Sequence, residues 1–157
     1  MKLIKTSPAG FLYFLNPTEL QLLGTVLQKF PFTREISSQI SRLSQDPQAV
    51  ERAKLLNDSL AEHRRELIQT ARDLVAPDRL RPWKKGHLLT LSSADRETLL
   101  QILNDIRVGC WHSLGQPGEL ESKNPDMSDQ EFAWRNLMHL SGYFEHHLVE
   151  DTGENEA

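Results

Sequence analysis

DPQAVERAKLLNDSLAEHRRELIQTARDLVAP, residues 46–77, decides how the fold is read. Asp46 and Pro47 form a helix start, a capping side chain followed by a residue whose fixed φ suits the first turn. Ala53, Leu56, Leu60, His63, Leu67, Ala71 and Leu74 then recur at spacings of three and four. That spacing predicts one helix with a single buried face over about eight turns. Pro77 ends it, because the residue before a proline disfavours helical geometry.

Upstream, Lys2–Thr6 and Phe11–Leu15 are short apolar-rich runs separated by Ser7-Pro8-Ala9-Gly10, which is turn chemistry. They predict a β hairpin, and the unbroken apolar character of the second run suits a strand covered on both faces. Asn16, Pro17 and Glu19 then open a helix, stapled by Leu15 and Leu20, that carries Leu20, Leu23, Leu27 and Phe30 at helical spacing and stops at Pro31. Thr33–Ser44 reads as a weaker helix with only Ile36, Ile40 and Leu43 as a stripe.

Downstream, residues 78–91 read as irregular and then extended, with Pro82–Gly86 a loop and His87–Leu91 a candidate third strand. Ser92 caps the next helix with Asp95 three residues on, and Leu99, Leu103, Ile106, Cys110 and Leu114 form its apolar face. Gly115 stops it. Gly115–Met127 is a long connection, a kind that is often functional. Ser128 and Glu131 make a capping box, stapled by Met127 and Phe132, for a last helix presenting Ala133, Leu137, Leu140, Phe144 and Leu148. Residues 1–150 are expected to be one helical domain and 151–157 a disordered acidic tail.

Composition narrows the class. The chain has 157 residues, 38% of them hydrophobic and 25% charged, the balance of a soluble globular domain large enough to hold a core without metal or disulfide. Eighteen Lys and Arg against 22 Asp and Glu leave a net charge of −4, which speaks against a dedicated nucleic-acid binder. No apolar run approaches the roughly 20 residues of a membrane span, and the first residues lack a signal-peptide core, so a cytoplasmic, membrane-free protein is expected. Charge is uneven: residues 115–157 hold two basic and ten acidic groups.

Few residues suggest chemistry. Cys110, the single cysteine, lies on an apolar face and is expected to be inert. His63 sits in the long apolar stripe and reads as a core-edge histidine with a nearby acceptor. His139 and His146, seven residues apart, lie about 10 Å apart along a helix and cannot share an ion. His112, His146 and Glu150 could form a small metal site or a polar catalytic centre. On a DNA-binding reading, Arg34, Gln39 and Arg42 are the whole supply of a recognition helix at Thr33–Ser44, while Arg64, Arg65, Arg72, Arg79, Arg81, Lys84 and Lys85 make a more basic neighbourhood diluted by Glu62, Glu66, Asp73 and Asp78. Motifs for phosphate cradles or an activated serine are absent.

Leu103-Asn104-Asp105-Ile106-Arg107 is the most distinctive string, because Asn and Asp compete with the helix backbone and Gly109 follows at a position that often marks close packing. It reads either as an internal polar tether between helices or as a recognition patch of Asn104, Asp105, Arg107 and Trp111.

With these elements in order, the chain resembles a domain-of-unknown-function family typified by the actinobacterial oxidative-stress transcriptional regulator, often encoded beside the Clp protease adaptor. The resemblance rests on the Asn-Pro-x-Glu helix start, on Leu103–Arg107, on the Leu114-Gly115 helix end and on Phe-Ala-Trp-Arg-Asn-Leu-Met-His-Leu in the last helix, and spans about residues 2–149. It implies a regulator that acts by touching a protein partner in the transcription machinery. A cysteine-pair redox switch proposed for actinobacterial members does not carry over, since Cys110 has no second cysteine in this chain.

The expectation is therefore a mainly α, single-domain helix bundle of four to five helices with a small N-terminal β hairpin and residues 87–91 as a possible third strand. The expected function is a non-enzymatic regulatory or protein-interaction domain, monomer or homodimer. Catalytic residue, cofactor, metal and direct nucleic-acid contact are not expected. The enzyme or metal-binding reading and the DNA-binding reading are the alternatives.

Overall fold

A computed structural model describes residues 1–32, 47–118 and 127–150, apart from the side chains at 47, 49, 50, 53, 57, 60 and 150. Its elements run β1 (Lys2–Ser7), β2 (Gly10–Leu15), α1 (Pro17–Leu27), α2 (Pro47–Leu74), β3 (Leu80–Trp83), β4 (Gly86–Leu91), α3 (Ser93–Ser113) and α4 (Asp129–Glu150). The weak helix expected at Thr33–Ser44, most of the Gly115–Met127 connection and the 151–157 tail lie outside the described residues.

The strands pair antiparallel in the order β1-β2-β4-β3. The helix-bundle expectation is thereby overturned. Among the described residues four helices accompany a four-stranded antiparallel sheet, so the chain stays mainly helical but is a mixed α/β fold. Sequence pattern missed β3 because it is four residues long and contains Pro82. Proline is tolerated there because β3 is an edge strand, where the missing N–H breaks no central ladder. Lys84 and Lys85 then turn the chain into β4, with Lys84 at φ 51. Gly86 leaves the space that the Phe14 ring and the Leu15 carbonyl occupy, so no side chain fits there.

Strand alternation gives the sheet two faces. The register aligns Leu3, Tyr13, Leu89 and Leu80 in one row. With Leu15 and Leu91 these side chains join Leu23, Val26, Leu99, Ile102, Leu103, Ile106, Phe144 and Leu148 in a single core. The expectation that β2 is covered on both faces fails: Tyr13 and Leu15 are buried, whereas Leu12 and Phe14 are only half-buried.

Capping is local and follows the sequence. Asn16 accepts from the Glu19 N–H at 2.8 Å while the Glu19 carboxylate accepts from the Asn16 N–H at 2.9 Å. Ser92 and Asp95 repeat this reciprocal box at α3, and Ser128 and Glu131 at α4. The staple partner Phe132 nevertheless stays exposed, as does Ala133. Arg96, buried, donates to the Leu148 carbonyl in the last turn of α4. Its guanidinium carbon lies 4.4 Å from the centre of the Phe11 ring. A cation at a helix C-terminus is favourable twice over, by hydrogen bonding and by the helix dipole.

Helix α2 departs most from expectation. Among its described side chains, only those of the last turns meet the core, through Leu67, Ile68, Ala71 and Leu74, while the stripe residues Ala53 and Leu60 lie outside the described side chains. Leu55 and Leu56 remain 64% and 60% exposed, and His63 is 57% exposed, with Nδ1 4.0 Å from the Glu66 carboxylate. His63 is thus a surface group and not a core-edge one. Periodicity reports which residues could share a face, not whether a partner reaches it.

Candidate interaction face

The capping box at Ser92 fixes the start of α3, and its phase follows. Leu99, Ile102, Leu103, Ile106 and Cys110 turn into the core. Positions 104, 107, 108 and 111 then share the opposite, outward face. Asn104, Arg107, Val108 and Trp111 are exposed, the indole at 38%.

The polar string reaches two different neighbours. The Phe32 backbone N–H donates to the Asp105 carboxylate at 3.2 Å. The Phe32 ring lies over Gly109, in the space a Cβ would need, which explains the mid-helix glycine. Arg107 points the other way, its Nε donating to Glu145 of α4 at 2.8 Å and its terminal nitrogen to the Asn104 side chain at 3.1 Å. Asp105 and Arg107 are therefore exposed, tethered to separate elements, and not engaged with each other. Trp111 donates its indole N–H to the Pro117 carbonyl at 3.3 Å, and its ring stands 5.0 Å from that of His112.

Electrostatics set the balance at Glu145. Burial raises its pKa, and the Arg107 guanidinium offsets only part of that, so the carboxyl stays above its ordinary range. Asp95 goes the other way: burial raises it, but the Ser92 N–H and hydroxyl and the Arg79 guanidinium at 2.9 Å hold it below the usual carboxylate range. Glu19 is likewise lowered, burial being outweighed by the Met1 ammonium, the Tyr143 hydroxyl and the Asn16 N–H. Cys110 is buried, and desolvation pushes its thiol up to about 11, leaving almost no thiolate at neutral pH.

The metal or enzyme alternative finds little geometry. His112 Nδ1 is engaged by the Gln116 amide at 2.9 Å. His146 packs against the His147 ring at 5.7 Å, and the Glu150 side chain lies outside the described residues. Among the described residues no three His, Cys, Asp or Glu side chains gather as a metal site would require. Of the DNA-binding set, Arg34, Gln39 and Arg42 lie outside the described residues, and Arg79 is held by Asp95. Among the described residues, no helix is long and apolar enough to cross a membrane.

Two structural residues escaped the sequence reading. Arg96 carries no local signal that it will be buried, since its partners Phe11 and Leu148 are remote in sequence. Glu145 resembles any surface glutamate on an amphipathic helix until α3 is packed beside it. Comparison of the chain with protein-family models, with curated proteins and with solved structures finds no match.

Proposed function

We propose that the chain is a cytoplasmic, non-enzymatic regulatory domain that docks a protein partner on the exposed side of α3, through Asn104, Arg107 and Trp111 on its outward face with Asp105 at the flank. One observation carries this reading. A large indole and Val108 stay exposed beside an arginine whose position is fixed by Glu145 and Asn104. Exposed Trp and Arg on a rigid element are the residue types that dominate protein interfaces. The resemblance to the oxidative-stress regulator family supports a partner in the transcription machinery.

A photo-crosslinking residue placed at Val108 tests it in extract of the native host. One discrete protein adduct is expected, and Trp111→Ala should abolish it. An adduct indifferent to that substitution, or no adduct, overturns the reading.

A further inference from the structure

All the charge on the sheet is of one sign. Residues 2–15 and 79–91 hold six Lys and Arg and not one Asp or Glu, in a chain whose net charge is −4. Net charge spoke against a nucleic-acid binder only because it averages over this segregation.

The register puts three of these cations, Lys2, Lys5 and Arg81, on one face, while Arg79 is held by Asp95. Lys2, Phe14, Leu88 and Arg81 align across the four strands, and Lys5, Leu12 and Thr90 align beside them. This is the face opposite the Leu3–Tyr13–Leu89–Leu80 row. Lys2 and Lys5, three residues apart, would point to opposite faces of a regular strand. The irregularity between Leu3 and Lys5 shifts the alternation and aligns both with outer-face residues.

Between the cations lies an aromatic surface. Trp83 pairs with Gly86, and its ring stands 5.5 Å from that of Phe14. The Lys84 ammonium sits 4.1 Å above the indole. Leu12, Phe14 and Trp83 are half-buried and, with the buried Leu88 beneath them, stand apart from the core cluster, so they form a separate apolar surface. Lys84 also holds a left-handed backbone, φ 51, where glycine or asparagine is at ease and lysine is strained. Strain retained at an exposed turn points to a use for the side chain.

We infer that this outer face binds a single strand of nucleic acid, Phe14 and Trp83 stacking on bases while Lys2, Lys5, Arg81 and Lys84 meet phosphates. Cations alone would suit any polyanion. The paired aromatic rings select planar groups, which an acidic peptide lacks and which a duplex keeps within its own stack. A base arriving on Trp83 displaces only the flexible Lys84 side chain, whose ammonium then lies beside the backbone.

The test is fluorescence anisotropy of a labelled oligouridylate of about 12 nucleotides against the whole chain. Four phosphate contacts predict a salt slope of about −3, a loss of roughly 50-fold in affinity between 50 and 200 mM salt. Arg81→Glu with Lys84→Glu should weaken binding at least about tenfold, both being exposed positions that folding tolerates. Trp83→Leu, checked for folding by circular dichroism, should weaken it about tenfold with the salt slope unchanged. Lys84→Asn should separate the two roles of the turn, raising Tm by about 2–4 °C while reducing the salt slope by about 0.7. No saturable binding at 50 mM salt overturns the proposal. So does binding that ignores Arg81→Glu with Lys84→Glu. Binding that polyglutamate displaces as well as oligouridylate does, with Trp83→Leu without effect, assigns the face to acidic peptides and overturns it too.

Discussion

The molecule turns two different surfaces outward. The outer face of the sheet carries Lys2, Lys5, Arg81 and Lys84 around Phe14 and Trp83, with no carboxylate from the sheet itself. The outer face of α3 carries charge of both signs, and its charged groups are tied to neighbours: Asp105 to the Phe32 backbone, Arg107 to Glu145 and Asn104. The difference separates polar groups that hold the fold from polar groups that leave it indifferent. A tethered surface offers a partner a rigid shape, whereas an untethered cationic one offers field and reach.

Stability measurements can break this distinction, beginning where the effect is largest. Arg107→Ala should destabilise by about 1.5 kcal/mol at pH 7, because it leaves the largely buried Glu145 carboxylate without its cation. The deficit should shrink as pH falls through the raised Glu145 range, since a protonated Glu145 needs no counter-ion, and Arg107→Ala with Glu145→Gln should recover most of it. Chemical denaturation of the four proteins of this cycle measures the coupling. A deficit that does not change with pH would show Arg107 to be a packing group only.

Asp95→Asn should cost about 1 kcal/mol at pH 7, the size of a capping interaction. Its sign with pH is opposite. The Asp95 pKa is lowered by folding, so its contribution is complete above the ordinary aspartate range and is lost as pH falls through the folded value. Wild type and variant should therefore converge in acid. Glu145 is raised by folding, so its protonated form is the favoured one and stability declines as pH rises through its range. Glu145→Gln alone should leave stability at pH 7 within about 0.5 kcal/mol of wild type.

Asp105→Ala should cost about 1 kcal/mol by releasing the Phe32 N–H. The smallest effects belong to the sheet: Arg81→Ala and Lys5→Ala should each stay within about 0.5 kcal/mol. A loss of 2 kcal/mol at either would erase the contrast between the two surfaces.

Local chemistry explains which parts were legible in the sequence. The boxes at Asn16, Ser92 and Ser128 and the turn at Ser7–Gly10 involve residues within four positions of one another, and each is present as read. The apolar phase of α3 was equally readable, and so was the burial of Cys110. The Asn104–Trp111 string was found by its poor fit to a helix interior, although nothing nearby said that Glu145 and Phe32 would hold it. The third strand expected at 87–91 is present as β4 beside β2, but the bundle expectation failed because β3 adds a fourth strand through a ladder with β4 that no single segment encodes.

Sequence alone determined where the first hairpin and the described helices begin, because caps, turns and apolar periods act over a few residues; it did not place β3. Tertiary structure decided which faces those elements spend on the core. The stripe of α2 predicted burial along its whole length, but among its described side chains the core reaches only Leu67, Ile68, Ala71 and Leu74, and Leu56 and His63 stay exposed. Lys2, Lys5 and Arg81, distant in sequence and diluted in the net charge, come onto one face beside Lys84 only when strand pairing and the irregularity in β1 align them. Register is a property of neighbouring strands together, so no reading of one segment contains it.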